Sequence, residues 1–433
     1  MTAKNLTVRP GKPGGFSWSG NPLVRVSTTA LLGACCFFLS TLEYLIPKPF
    51  PFMRIGLANM PLIAALDILS VKNFVLLVFI KILGQGLITG SLFSYVSLFS
   101  LAGTLASGTV MYLLRRCLGA GRIGFIGVST AGALLSNGVQ LVLARIFIFG
   151  EGIRFIVPPF LGLGVLTGVV LGLFCEIFTA RSVWYRNCRG LSLGEGANTL
   201  PRPPDLPGRA APFRENSGGK TGIALPAGDL LFAGFLMMIG FLFNPSTSIR
   251  GIQFLFFGVY ARLTGKKITP LFTLFIMAAI VFCNLLVPYG RVLAEIGPLR
   301  LTQGSLLSGL HKAITLEGLF FLSKAAVGSG LRFPGRFGFF IGESFRLFER
   351  LIEQKGRITR KHFIEGIDML MVELSGEEEA PGGGAGNLTK AAAGEPKRSL
   401  PGILLLAGAV LFTLALTLLG LTGSGPAWYS LKP

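Results

Sequence analysis

Apolar positions fall into two long blocks, each able to cross a bilayer several times, with a polar, basic, proline-rich connector at residues 181–226 between them. In the first block the runs predict six helices, near residues 24–45, 55–69, 74–88, 92–114, 123–149 and 155–178. The second and third are short for a hydrocarbon core of about 30 Å, and short glycine-interrupted segments often line cavities in transporters. In the second block helices are predicted near 227–243, 249–263, 268–287 and 305–327. A non-spanning stretch with helical periodicity follows at 333–374. Its basic residues, among them Arg346, Arg350, Lys355 and Arg357, are mixed with Phe340, Ile341, Phe345, Phe348, Leu351 and Ile352. Such a segment lies on a membrane surface or docks a soluble partner. Residues 376–399 are of low complexity and are expected to be disordered. A final helix near 403–421 completes an all-α integral membrane protein of about eleven transmembrane helices.

The domain order expected is therefore a basic N-terminus (1–23), a six-helix membrane module (24–180), a linker (181–226), further membrane helices (227–330), amphipathic helices (331–375), a second linker (376–400) and a C-terminal membrane helix with its tail (401–433). Composition agrees, since 51% of the 433 residues are hydrophobic and only 14% charged. Lys plus Arg exceed Asp plus Glu by 40 to 20, a formal charge of +20. These cations sit in short connectors beside apolar runs, so they read as headgroup contacts and topology signals, and no nucleic acid is expected as a partner. In the first block Lys4, Arg9, Lys12, Arg25, Lys72, Arg115, Arg116, Arg122, Arg181, Arg186 and Arg189 share one side, against Lys48, Arg54, Arg145 and Arg154 on the other. That bias predicts a multi-pass protein of the bacterial cytoplasmic membrane with its N-terminus in the cytosol.

Catalytic motifs are missing from the sequence. There is no paired-aspartate prenyltransferase cluster, no GxSxG and no HExxH. Ser217-Gly-Gly-Lys-Thr221 shares only the end of a phosphate-binding loop, because Arg214 stands where that pattern requires glycine. The six cysteines lack CxxC spacing, and His311 and His362 are far apart, so no metal site is expected. Ionisable residues inside membrane helices cost roughly 2.5–3.5 kcal/mol each and so invite a role. Glu43, Arg54, Arg145 and Arg154 are expected to form the mouth of an outward-facing site for an anionic or zwitterionic small molecule, with Asn59, Gln85, Asn137 and Gln140 deeper in the cavity. Ala30-Leu-Leu-Gly-Ala34 presents small residues four apart, a flat stripe for a close partner helix. Glu317 and Lys324, seven apart on one helix face, are expected to pair or to line the contact between the two blocks.

Three stretches carry a family resemblance: Ile46-Pro47, Met53-Arg-Ile-Gly-Leu-Ala-Asn-Met-Pro61 and Leu98-Phe-Ser-Leu-Ala-Gly-Thr-Leu-Ala-Ser107. They resemble the Gx transporter family, also labelled heptaprenyl diphosphate synthase component I, which is related to the substrate-binding S components of energy-coupling factor transporters. The resemblance covers about residues 24–180 and makes Ala30 and Ala34 the stripe through which an S component meets its membrane partner. The second block, with Phe243-Asn-Pro245 and Leu299-Arg-Leu-Thr-Gln-Gly-Ser-Leu-Leu-Ser-Gly-Leu310, is similar to the T component of such transporters. T components engage ATPase grooves through Ala-Arg-Gly-like tripeptides; this chain has Glu353-Gln-Lys-Gly-Arg357 there. The resemblance implies capture of a vitamin-like or flavin- or isoprenoid-related molecule, ATP hydrolysed by separate ATP-binding cassette subunits, and no covalently bound cofactor. Arg346, Arg350, Lys355 and Arg357 become coupling residues in that reading. The alternative is a non-transporting membrane scaffold for a flavin- or quinone-linked electron-transfer or isoprenoid-synthesis assembly.

Overall fold

The computed structural model describes residues 22–45, 55–119, 121–189, 227–266, 268–296, 299–327, 335–354, 363–376 and 400–423. The N-terminal basic stretch, residues 190–226 of the expected linker with their Ser217–Thr221 motif, and the low-complexity segment lie outside those residues.

The front module comprises α1 (Pro22–Leu45), a 3-10 turn (Leu57–Asn59), α2 (Met60–Ala65), α3 (Val71–Thr89), α4 (Tyr95–Leu118), α5 (Phe125–Ala144) and α6 (Val157–Arg181), followed by the short α7 (Val183–Cys188). The expected spanning helix at 55–69 does not form. Gly56 adopts φ +89°, a left-handed conformation open to glycine, and Pro61 opens α2, where its missing N–H costs nothing. A two-turn helix therefore replaces the span. Between α5 and α6 the chain passes through a π-helical turn (Arg145–Phe149) and a 3-10 turn (Gly150–Phe155).

The rear module holds α8 (Ala227–Phe243), α9 (Thr247–Leu263), α10 (Pro270–Leu285), α11 (Gln303–Ala326), the amphipathic α12 (Gly335–Gln354) and α13 (Phe363–Gly376), and α14 (Leu400–Gly423). An antiparallel hairpin, β1 (Val292–Ile296) with β2 (Leu299–Thr302), precedes α11 and departs from the all-helical expectation. Among the described residues, five helical stretches are by themselves long and apolar enough to cross a membrane: Val71–Thr89, Tyr95–Leu118, Phe125–Phe155, Val157–Arg181 and Gly402–Thr422. Three more, Thr28–Tyr44, Gly228–Phe243 and Pro270–Leu285, are apolar but shorter. The chain is thus a helical, multi-pass membrane protein.

Arg250 pins the rear module. Its guanidinium donates to the carbonyls of Leu242 (3.0 Å) and Asn244 at the end of α8, and to Thr315 Oγ1 (2.7 Å) and His311 Nε2 (2.8 Å) on α11. Because Nε2 accepts from an arginine, the imidazole proton belongs on Nδ1, from which it donates to Thr247 Oγ1 at 2.9 Å. Asn244, the middle residue of the Phe-Asn-Pro stretch, donates to Gln253 Oε1 (2.9 Å), and Gln253 donates to the Thr413 carbonyl (3.0 Å) and Thr417 Oγ1 (3.1 Å). One polar chain therefore joins α8, α9, α11 and α14, as hydrocarbon surroundings demand of buried polar atoms.

The two modules touch along a shared apolar cluster that includes Phe99, Leu141, Phe149, Ile276, Ile280 and Leu316. Asn284 donates to the Ile148 carbonyl (3.1 Å), and the Phe93 N–H donates to Ser323 Oγ (3.0 Å). A Cβ placed on Gly150 would lie 3.1 Å from Lys312 Nζ, and one on Gly90 would lie 3.4 Å from Lys324 Cγ. Gly90 and Gly150 belong to connectors at the same end of the front bundle, yet they meet α11 at positions twelve residues apart, about 18 Å along a helix. Helix α11 therefore runs across that end of the front bundle, and charge sorting on the front connectors does not by itself orient the rear module.

At the opposite end of the front module Asp67 forms a paired contact with Arg115, Oδ1 to Nε at 2.8 Å and Oδ2 to Nη2 at 2.6 Å, with both side chains about one-tenth exposed. Tyr185 Oη adds a donor at 3.3 Å. Burial pushes the Asp67 carboxyl up, but the bonds and charge of Arg115, the charge of Arg189 and the Tyr185 hydroxyl outweigh it and hold the carboxyl below the usual carboxylate range. A carboxyl depressed on folding stabilises above its unfolded pKa, and that contribution disappears as pH falls through the folded value. Asp67→Asn should therefore cost about 3 kcal/mol in detergent near neutral pH, since it leaves Arg115 with an uncompensated charge. Thermal unfolding of wild type and variant should converge as the medium is acidified; an undiminished gap at low pH would contradict the assignment.

Candidate functional site

Helices α1 and α3 to α6, with the turn before α2, enclose a polar cavity. Its walls carry Glu43 from α1, Asn59 from the 3-10 turn, Lys81 and Gln85 from α3, Ser100, Thr104 and Ser107 from α4, Ser129, Ser136, Asn137 and Gln140 from α5, and Thr167 from α6. The α4 hydroxyls recur at spacings of four and three, so they lie on one helix face, and Lys81 and Gln85 are likewise four apart. Glu43 accepts the backbone N–H groups of Ile55 (2.9 Å) and Gly56 (3.2 Å), which fixes the turn that closes the cavity. Lys81 donates to Asn59 Oδ1 and, at 3.1 Å, to Thr104 Oγ1. Ser100 reaches Gln85 Oε1 at 3.4 Å, Gln140 donates to Ser136 Oγ at 2.9 Å, and Asn137 donates to the Phe160 carbonyl at 3.2 Å.

Two observations set what this site can take. Gln140 Oε1 is buried with no donor among the described residues, an acceptor costing about 1–3 kcal/mol unless a guest or water meets it. The free volume is about 30 Å³, room for about two waters and well short of a drug-sized pocket of about 300–1,000 Å³. The described conformation leaves the cavity narrow.

Of the residues expected to bind substrate, Glu43, Asn59, Gln85, Asn137 and Gln140 converge here. Arg145 and Arg154 do not. Arg145 forms an exposed pair with Glu151 at 2.6 Å, and Arg154 stacks over the Phe155 ring at 4.9 Å. The π-helical turn and the 3-10 turn carry both away from the cavity, so the expected ring of outer cations is not built from them. Arg54 lies outside the described residues. Sequence reasoning missed Lys81 and the α4 hydroxyl stripe as site residues; the signal was the 100–104–107 spacing.

The second functional surface is the docking of α1 on α12. Ala30 and Ala34 are fully buried, as the small-residue stripe predicts. Gly33 beside them allows close approach, since a Cβ there would stand 2.6 Å from Ser344 Oγ of α12 and 2.9 Å from Ile80 of α3. Phe37 packs on Phe345 and Phe348 with ring centroids 4.8 and 6.0 Å apart. The apolar face of the amphipathic segment, expected to meet lipid or a soluble partner, is thus covered by the front module itself, through Ile341, Leu347, Phe348 and Leu351. Asp368 of α13 adds a polar clamp, accepting from Ser182 Oγ and from the N–H groups of Val183 (2.8 Å) and Trp184 (3.0 Å). On the outer side of α12, Arg346 pairs with Glu343 and Arg350 is half-buried; Lys355 and Arg357 lie outside the described residues. Lys324 reaches the front module at Gly90 and covers the Phe320 ring at 4.6 Å. Glu317 points elsewhere, to Thr273 of α10, within electrostatic reach of Lys324.

Residues 32–178 match the family model described as heptaprenyl diphosphate synthase component I. The match covers the front module, about a third of the chain, from within α1 to the end of α6. Residues 230–329 match a domain of unknown function, DUF8519, so the likeness of the rear module to a T component stays at the level of the motifs quoted above. No curated protein and no solved structure matches the chain. The cavity draws its lining from nearly the whole matched segment, from Glu43 to Leu171, with Glu43 and Lys81 as its ionisable residues.

The placement predicts a clear ranking. Lys81→Met should lower stability by about 1–3 kcal/mol, because buried acceptors on Asn59 and Thr104 lose their donor. Arg145→Met should cost about 0–1 kcal/mol, as an exposed pair does. Thermal unfolding in mild detergent measures both, and the reverse order would refute the cavity assignment.

Proposed function

We propose that the chain is the membrane part of an uptake system of the energy-coupling factor type, in which the front module captures a small polar molecule and the rear module holds it to the energy source. The single observation that carries this reading is a small polar cavity lined by one carboxylate, one ammonium and a set of amides and hydroxyls, inside a helix bundle that borders lipid. Building such a cavity costs free energy unless something polar enters it. One acid and one base beside neutral donors and acceptors suit a zwitterionic or neutral guest of vitamin size better than a strongly anionic one. At about 30 Å³ the cavity admits that guest only after α1 or the turn at residues 55–59 moves, so transport is a population shift between closed and open bundles.

The α1–α12 contact supports the coupling half of the reading. Arg346 and Glu349 stand on the exposed side of α12, and that surface is assigned to ATPase subunits supplied in trans. No residue of the chain is assigned a catalytic role. The narrow cavity also favours a second reading, a non-transporting scaffold of a flavin- or quinone-linked or isoprenoid-synthesis assembly, in which the polar interior is structural.

Copurification from native membranes in mild detergent, joined to a binding screen of vitamins and flavins, distinguishes them. The transport reading predicts ATPase subunits in the complex and a bound small molecule whose retention falls at least tenfold in Lys81→Met and Ser136→Leu. Flavoproteins or prenyl synthases in place of ATPases, with a uniformly empty screen, would overturn it.

A further inference from the structure

Between α9 and α10 the rear module carries an open groove of about 590 Å³, a volume within the usual range of ligand sites. Its walls are Phe254, Leu255 and Val259 of α9 and Leu274 and Met277 of α10, with Phe321 of α11 as its floor. The floor is accessible because position 258 is glycine; a Cβ there would rest 3.5 Å from the Phe321 ring, and any longer side chain would fill the space. Stacking of Phe321 on Phe254, centroids 5.4 Å apart, holds the floor in place.

The groove is asymmetric in charge. Arg262 lines one end, and Lys266 follows in the short connector that leads to Ile268, another lining residue. Among the described residues neither side chain has a carboxylate or hydrogen-bond partner. Glu317, the nearby acid, is already engaged by Thr273 and lies within reach of Lys324, so it does not neutralise them. An apolar trough of this length that ends on two unpaired cations is complementary to an amphiphile with a hydrocarbon chain and an anionic headgroup. Arginine supplies a planar fork that meets a phosphate through two parallel hydrogen bonds.

We infer that this groove is a binding site for one anionic phospholipid of the surrounding bilayer, its acyl chain lying over Gly258 and Phe321 and its phosphate held by Arg262 and Lys266. The site belongs to the rear module and does not depend on what the front cavity carries. A lipid seated there would bridge α9, α10 and α11, of which α9 and α11 also belong to the Arg250 network.

Native mass spectrometry of the full-length protein in detergent, titrated with dioleoyl phosphatidylglycerol or dioleoyl phosphatidylcholine, tests the inference. The anionic lipid should be retained at least fivefold more, and Arg262→Gln should lower its retention about fivefold, the worth of one cation at a membrane surface. Arg262→Lys, which keeps the charge but loses the fork, should retain more than Arg262→Gln and less than the wild type. Gly258→Leu should reduce retention of the anionic lipid while Arg262 stays in place; if that variant unfolds, the glutamine and lysine pair at 262 decides. Equal retention of the two lipids, or retention indifferent to Arg262→Gln, would overturn the inference.

Discussion

A bilayer offers no partner to a polar atom within its hydrocarbon, so each polar side chain that a helix carries inward must be met by the protein. The structure satisfies that constraint in two ways. In the rear module the two terminal nitrogens of Arg250 serve closure: they donate to carbonyls, a hydroxyl and an imidazole, and Gln253 ties in a fourth helix, while the Arg250 Nε is buried without a partner among the described residues. In the front module the polar groups are gathered around a void, and Gln140 keeps an acceptor without a donor among the described residues. The rear polar groups draw helices together and the front ones line a cavity, and the division of labour proposed for the modules rests on that difference.

Helix α1 connects the two functions. Its Glu43 end closes the cavity, while Ala30, Gly33, Ala34 and Phe37 form the face that meets α12. A displacement of α12 is therefore felt at the cavity through one rigid helix, without any need for a longer path. Small side chains make the contact close, and the aromatic pair of Phe37 with Phe345 and Phe348 gives it a fixed register. The crossing of α11 over the end of the front bundle adds a second, more polar contact at Lys312 and Lys324. Tilting of the front module would have to break this one while sliding along the first.

Much of this was legible in the sequence, and the failures have physical causes. Long apolar runs located most of the helices, because hydropathy reports burial in lipid directly. The run at 55–69 misled for the same reason: it is apolar because α2 packs in the core, not because it spans, and Gly56 and Pro61 were the local signs of a break. Asn59, Gln85, Asn137 and Gln140 stood out as amides in greasy helices and do line the cavity. The α4 hydroxyls did not stand out, since serine and threonine can bond their own helix, as Ser107 does to the Thr104 carbonyl. Arg145 and Arg154 do not line the cavity, because charge sorting gives depth and not azimuth. The hairpin at 292–302 was not foreseen; its Leu-Arg-Leu-Thr alternation is a strand pattern only four residues long, directly before a long helix.

The central claim is that the front module is seated on the rear module through the small-residue face of α1. Pairing Gly33→Cys with Ser344→Cys, in a chain whose six native cysteines are replaced, tests it directly, since a Cβ at 33 would lie 3.3 Å from that of Ser344. Mild oxidation in native membranes should produce an intramolecular disulfide in most of the protein, seen as a mobility shift that a reductant reverses. If the two thiols stay free and reactive in the folded membrane protein, α1 is not docked on α12, and the account of how the cavity is coupled fails with it.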